Sequence, residues 1–316
     1  MKKIVCILSV FACNAAMGDT AVLTAQIERT KAACAGISDE LSDLKKMAGI
    51  NTAVTAVGTV AGGVALGTGI AKAAADKKVD ELDEMIAELE AAGAIEIKTD
   101  DQLYGVLADL FEETGTEEGK EVAESLRAER EALVKKSKTL GNIRTGTMAG
   151  AAVADTVGTV IAANNRVKGD LQSQINECIV ATKELSNVRM QERVNGSVDT
   201  AELNRAETIV RECGAWEYVD LSKINKRATG AAISAGTGAA MAIAGTITSV
   251  SANSNSVRND NTESGKKKEK NLNTASNVLA GGTTAASAVA VVFNATQISA
   301  IKKAATTADK CEEALK

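Results

Sequence analysis

The sequence predicts an all-α protein of long, coiled-coil-like helices, with four Gly/Ala-rich apolar helices arranged as two duplicated helical hairpins. Three observations predict this fold: the 316-residue chain has no proline, long stretches carry no charge, and the segments between them follow a heptad repeat. Proline breaks helix interiors because it lacks an N–H group and clashes with the preceding turn, so its absence permits long helices. Aromatic residues make up 2% of the chain, which argues against an ordinary mixed globular core.

Four stretches of the chain are long enough to cross a bilayer, which needs about 20 predominantly apolar residues. They are residues 47–71, 145–165, 228–257 and 271–301. The second contains one charged residue, Asp155, and the other three contain none. Ala, Gly, Ser and Thr dilute the Ile, Val and Leu in these stretches, so their hydropathy is marginal. We expect transmembrane helices here, with helices packed inside a soluble bundle as the alternative.

Glycines recur four residues apart in the first two stretches, which places each pair on one face of a helix. A face of Gly and Ala lets two helix backbones approach closely, and this drives helix association in lipid. The sequence therefore predicts helix-packing positions at Gly58, Gly62, Gly63, Gly67, Gly146 and Gly150.

The charged segments carry apolar residues at alternating steps of four and three, as in a coiled coil. One such seam runs into the first apolar stretch, a second continues after it, and a third follows the second stretch. These seams comprise Leu23, Ile27, Thr30, Cys34, Ile37, Leu41, Leu44 and Ala48; Val79, Leu82, Ile86 and Leu89; and Leu171, Ile175, Cys178, Thr182 and Leu185.

The two halves of the chain have the same order of features, which predicts a tandem duplication. In each half a cysteine-bearing helix enters an apolar stretch, a polar segment follows, and a second apolar stretch leads to another cysteine-bearing helix. The predicted units are residues 19–170, with an acidic helical insertion at 72–144, and residues 171–316, with a short polar loop at 254–272.

The N-terminal residues 1–18 have the pattern of an export signal. Lys2 and Lys3 precede a short apolar run, and small residues stand before the expected cleavage site at Asp19. A weaker alternative is lipid attachment at Cys13, because residues 10–13 loosely resemble a lipobox. Either reading places the mature chain in a bacterial envelope.

Four cysteines remain after cleavage, and they are the disulfide candidates: Cys34, Cys178, Cys213 and Cys311. If all four stretches span the membrane, the four cysteine-bearing helices lie on one side, which for an exported chain is the periplasm, where disulfides persist. Hairpin geometry favours Cys34–Cys178 and Cys213–Cys311. A Cys178–Cys213 pair is the main alternative, and four buried free thiols are another.

Three polar residues stand inside the apolar stretches. Asp155 at the centre of the second stretch is costly in lipid, and we expect a buried polar contact there, with a pore-lining or proton-responsive group as the alternative. Asn294 and Gln297 in the fourth stretch are expected to hydrogen-bond between helices.

The sequence offers no catalytic, cofactor or metal constellation. Without histidine it lacks the commonest general base and zinc ligand, and the net charge of −5 argues against nucleic-acid binding. We therefore expect a non-enzymatic inner-membrane protein whose scaffolding or interaction role depends on contacts with lipid, with its own copies or with other helical envelope proteins. The alternatives are a secreted α-helical pore-former and a soluble periplasmic Ala-packed helix bundle.

Overall fold

The computed structural model describes residues 19–91, 117–195, 198–258 and 262–316, and within these ranges the regular structure is entirely helical. This confirms the predicted all-α fold. The predicted signal at 1–18, the alternative lipid site at Cys13 and the middle of the 72–144 insertion lie outside the described residues.

The described helices, numbered along the chain, include four of more than 30 residues, as the absence of proline permits. They are α1 (Asp19–Cys34), α2 (Ile37–Ala91), α3 (Glu117–Asn164), α4 (Gly169–Asn195), α5 (Thr200–Cys213), α6 (Leu221–Ala252), the short α7 (Asn255–Arg258) and α8 (Glu263–Ala314), with a 3-10 turn at Gly214–Tyr218 between α5 and α6.

Several element boundaries differ from the predicted ones. The seam over residues 23–48 is divided between α1 and α2, because Gly36 has a φ of +81° that ends α1, a conformation favourable to glycine. Residues 72–91 and 117–144 continue α2 and α3 and are not a separate insertion in the described parts. Residues 263–272 belong to α8 and are not part of a polar loop.

Four helical segments are long and apolar enough to cross a membrane, as the sequence predicts. They are Ala21–Leu82, Ala128–Asn195, Leu221–Ala252 and Glu263–Ala314.

The chain forms two compact units, and each unit draws on both halves of the sequence. The first, which we call the disulfide unit, comprises Met1–Ala53, Gly158–Ile233 and Val289–Lys316. The second, which we call the small-residue unit, comprises Val54–Val157 and Ser234–Ala288. The compact units therefore do not follow the predicted division at residue 170.

The disulfide unit has a core of large apolar side chains, as a water-soluble helical domain does. The predicted seam residues Leu23, Ile27 and Leu41 are buried there with Leu171, Ile175 and Leu185 of α4. Trp216 in the 3-10 turn is the largest buried side chain of this core and is 2% exposed.

Two disulfides cross-link this core in the pairing that hairpin geometry favours. Cys34 of α1 is bonded to Cys178 of α4, and Cys213 of α5 to Cys311 of α8, with Cα–Cα distances of 4.7 and 4.5 Å. The Sγ atoms of Cys34, Cys213 and Cys311 all lie within 4.8 Å of one another, so the two disulfides are neighbours. Together they join four helices at one level of the unit.

We predict that replacing Cys213 and Cys311 by Ala lowers the unfolding free energy by about 3–5 kcal/mol, because a bridge across 98 residues restricts the unfolded chain. Equilibrium unfolding of the full chain followed by Trp216 fluorescence measures the change. The control is Ser173→Ala, an exposed change on α4 of the same unit. Non-reducing peptide mapping that found Cys178 linked to Cys213 would contradict the pairing.

Candidate functional site

The four long helices of the small-residue unit bury one seam each, and every seam follows the four-three alternation. Its members are small or polar, with Met148 the exception among apolar side chains. The buried positions are Thr55, Gly58, Gly62, Ala65, Gly69 and Lys72 on α2; Ser137, Gly141, Arg144, Met148, Ala151 and Asp155 on α3; Ala235, Gly238, Ala242, Gly245, Ser249 and Ala252 on α6; and Asn273, Ser276, Ala280, Thr283 and Ser287 on α8.

Asp155 of α3 is fully buried, and residues of α2, α6 and α8 surround its carboxyl group. Its Oδ2 accepts a hydrogen bond of 2.7 Å from Ser287 Oγ of α8. A methyl group added at Gly58 of α2 would overlap Asp155 Oδ1, and one added at Gly238 of α6 would lie 2.6 Å from Oδ2. The carboxyl group therefore requires glycine on two neighbouring helices. This is the buried polar contact that we expected for Asp155.

Arg144 forms a second polar layer, 11 residues before Asp155 on α3, and its side chain is also fully buried. The guanidinium group donates to three neutral oxygens: Nε to Ser249 Oγ at 3.2 Å, Nη1 to Asn277 Oδ1 at 3.2 Å, and Nη2 to Asn273 Oδ1 at 2.8 Å. Gly69 of α2 leaves space for Asn277 and for the Arg144 stem. Each of the three guanidinium nitrogens thus donates a hydrogen bond, and these bonds offset the free-energy cost of burying the charge.

A cluster of opposite charges lies at the next level. Lys72 is fully buried, and its Nζ contacts Asp76 Oδ2 at 2.5 Å and Glu269 Oε1 at 3.3 Å. Ser137 Oγ of α3 donates to Asp76 Oδ1 at 2.5 Å. We call Lys72, Asp76, Ser137 and Glu269 the charged hub. It joins α2, α3 and α8, and it stands where the uncharged parts of these helices end.

An apolar layer separates Asp155 from Arg144. It consists of Met148 with small side chains from all four helices, namely Ala65, Ala151, Ala152, Ala242 and Ala280. Gly245 leaves the space that the Met148 methyl group fills. The polar layers of the single chain are thus not continuous with one another.

The outward faces of the same helices carry the large aliphatic side chains. Val60 and Val278 are 66% and 69% exposed. The other exposed aliphatic residues of these faces are Val57, Val64, Ile70, Ile143, Val153, Val157, Ile243, Ile247 and Val250. The small-residue unit is therefore small or polar on its inner seams and aliphatic on its outward faces, whereas the disulfide unit has a core of large apolar side chains.

The predicted helix-packing glycines divide into two groups. Gly58 and Gly62 are buried, and a methyl group at Gly62 would lie 2.8 Å from Thr284 Oγ1 of α8. A methyl group added at Gly63, Gly67, Gly146 or Gly150 would meet no atom within 4 Å. These four positions therefore adjoin open space within one chain, and their role in helix packing stays a prediction. Four-residue spacing does not distinguish the buried face of a helix from the adjacent one.

Asn294 and Gln297 lie in the disulfide unit. Asn294 is bonded to another helix, whereas the partner of Gln297 lies in the connection that follows α3. Asn51 Nδ2 of α2 donates to Asn294 Oδ1 of α8 at 2.8 Å. Gln297 Nε2 donates to the Asn165 carbonyl oxygen, also at 2.8 Å.

Sequence reasoning missed Lys72, Arg144, Gly69, Gly238 and Gly245. A signal was present, because the seam that ends at Ala48 continues in the same alternation through Asn51, Thr55 and Gly58. It was missed because a heptad search looks for large apolar residues, and here the repeated residues are small.

Comparisons with protein-family models, with curated proteins and with solved structures find no match for this chain. The function must be argued from the residues themselves.

We predict that Gly58→Ala destabilises the small-residue unit by about 1–3 kcal/mol, because the added methyl group overlaps a buried carboxyl oxygen. The matched control is Gly281→Ala on α8 of the same unit, where the methyl group meets open space and alanine gains up to about 1 kcal/mol of helix propensity. Unfolding in detergent, followed by helical circular dichroism, measures both. Adding Asp155→Ala to Gly58→Ala should recover part of the loss, and equal stability of the two glycine variants would contradict the packing.

We predict that Arg144→Ala costs about 3 kcal/mol or more, because it leaves Ser249, Asn273 and Asn277 without their buried donor. Lys138→Ala, an exposed change on the same helix, should stay within about 0.5 kcal/mol of the parent. An SDS titration of both variants in mixed micelles compares them. A loss for Arg144→Ala no larger than that for the control would show that the layer contributes nothing.

Proposed function

We propose that this chain is a non-enzymatic membrane protein of the bacterial envelope, with a scaffolding or interaction role based on helix association. Its four apolar helices cross the inner membrane, and its cysteine-bearing helices lie on the periplasmic side. The observation that carries the proposal is the inverted arrangement of the small-residue unit, where Val and Ile face outward while Gly, Ala, Ser and charged groups face inward.

Lipid accounts for this arrangement better than water does. A water-soluble bundle buries its large aliphatic side chains, because their removal from water supplies most of its stability. Helices in lipid gain nothing by burying them, since lipid tails are as apolar as Leu, and they associate through small residues and interhelical hydrogen bonds. The exposed Val60 and Val278 and the buried Gly58 and Ser287 follow the second pattern.

The cysteines support the proposed side of the membrane. Disulfides form and persist in oxidising compartments, and all four bonded cysteines belong to one compact unit. Together with the export signal predicted at residues 1–18, this supports periplasmic cysteine-bearing helices. With four crossings, the segments 72–144 and 258–270, which contain the residues of the charged hub, are then cytoplasmic.

Association between copies is supported by the four glycines that the single chain leaves open. Gly63 and Gly67 on α2, and Gly146 and Gly150 on α3, each leave room for a close neighbour. A second copy of the chain could place a helix backbone against either pair, as small-residue faces permit.

The absence of histidine supports a non-enzymatic role, because it removes the commonest general base. Two surface grooves, of about 340 and 400 Å³, lie in the disulfide unit and are lined by a mixture of charged, polar and apolar side chains.

A secreted pore-former is the second candidate, favoured by one observation. Lys72, Arg144 and Asp155 are charged residues on the inner seams, so a widened or multi-chain bundle would present them to a lumen. In the single chain the Met148 layer closes that path.

We predict that the full chain, expressed in a bacterium, stays in the membrane pellet after carbonate extraction at high pH and has no thiol that reacts with maleimide unless it is first reduced. Four apolar helices resist extraction, and export allows oxidation. The matched control lacks residues 1–18 and should retain free thiols.

Release of the oxidised chain into the carbonate supernatant would contradict the spanning proposal. Release combined with single-channel conductance in planar bilayers would instead establish the pore-former.

A further inference from the structure

The charged hub is surrounded by lysines that belong to the same helical turns. Asp76 is followed by Lys77 and Lys78, Ser137 stands between Lys136 and Lys138, and Glu269 stands between Lys268 and Lys270. We call the nine exposed lysines of these turns the basic collar: Lys77, Lys78, Lys135, Lys136, Lys138, Lys266, Lys267, Lys268 and Lys270.

The hub places these lysines at one level of the small-residue unit. Asp76 contacts Ser137, and Lys72 contacts Glu269, so the collar turns of α2, α3 and α8 are held side by side by contacts of 2.5 to 3.3 Å. Three separate runs of sequence therefore form one surface band.

The charge of the band is not balanced by the protein. Inside the unit, the cations Lys72 and Arg144 are matched by the carboxylates Asp76 and Glu269. On the outside, over residues 77–82, 135–140 and 263–270, the nine exposed lysines are accompanied by three exposed carboxylates, Asp80, Glu81 and Glu263. Lys77 of the collar pairs with Glu81 at 3.3 Å. Nine lysines against three carboxylates leave an excess of six positive charges on the outward side of the band.

The band also lies at the depth where lipid headgroups would be. On α8 the uncharged stretch begins at residue 271, directly after Lys270. Lysine side chains at helix ends extend their ammonium groups into the interfacial region. The surface of the cytoplasmic leaflet is negative and attracts lysines that lie beside a spanning helix.

We propose that the basic collar binds the headgroups of anionic phospholipids and thereby selects them as the annular lipids of one leaflet. This inference rests on the proposed spanning function. The partner is a phosphodiester headgroup with net negative charge, and the contact is made by the exposed lysines of the basic collar.

The test uses the full oxidised chain in lipid nanodiscs and compares spin-labelled phosphatidylglycerol with spin-labelled phosphatidylcholine. At 0.1 M salt the protein should associate with the anionic lipid at least about threefold more strongly. At 1 M salt the preference should fall towards unity, since the Debye length shrinks from about 10 to about 3 Å.

The variant K266Q/K267Q/K268Q/K270Q should lose most of this preference. The matched control K31Q/K183Q/K310Q/K316Q removes the same charge from exposed lysines of the disulfide unit and should keep it. Equal association of the two lipids with the wild-type chain, or an unchanged preference in the collar variant, would overturn the collar. A chain that does not enter nanodiscs would overturn the spanning function and the collar together, whereas entry without lipid preference overturns the collar alone.

Discussion

The close approach of four helix backbones is the constraint on which the small-residue unit depends. Glycines at 58, 62, 69, 238 and 245 stand where an added methyl group would overlap a side chain of another helix. Because glycine has no side chain, α2, α3, α6 and α8 lie close together. Short side chains such as Ser287 and Ser249 can then form hydrogen bonds with residues of a neighbouring helix. In water these glycines would lower the stability of the helices. In lipid the hydrophobic effect does not drive helices together, and the close contacts that glycine permits stabilise their association instead.

Close packing also explains how a bundle of this kind can hold charges. Arg144 and Lys72 are fully buried. Arg144 donates to oxygen atoms of α6 and α8, and Lys72 contacts Asp76 of its own helix and Glu269 of α8. Because α8 supplies partners to both cations, sliding α8 by a turn would separate them. The polar layers therefore fix the register of helices whose apolar seams are too uniform to fix it themselves. In the disulfide unit, the core of large apolar side chains and the two disulfides fix the register of the helices.

The sequence predicted part of the candidate site. Each residue could be predicted only where its type or its spacing stands out along the chain. Asp155 could be found because a single charge in an uncharged stretch is conspicuous. Gly58 and Gly62 could be found from their spacing. The same spacing also selects Gly63 and Gly146, which adjoin open space in the single chain, because spacing determines which residues share a face and not what that face contacts. Arg144 and Lys72 could not be found, because at the ends of their stretches they look like ordinary flanking charges.

The sequence by itself determined the helical fold, the four apolar stretches and the seams of large residues, because these follow from local propensity and from periodicity along the chain. The favoured cysteine pairing followed from equal spacing within each half. Tertiary structure alone decided which face of each apolar helix points inward, how the chain divides into two compact units, and which polar groups meet. Those outcomes depend on contacts between residues a hundred or more positions apart, such as Asp155 with Ser287, and periodicity within one helix carries no information about its neighbour.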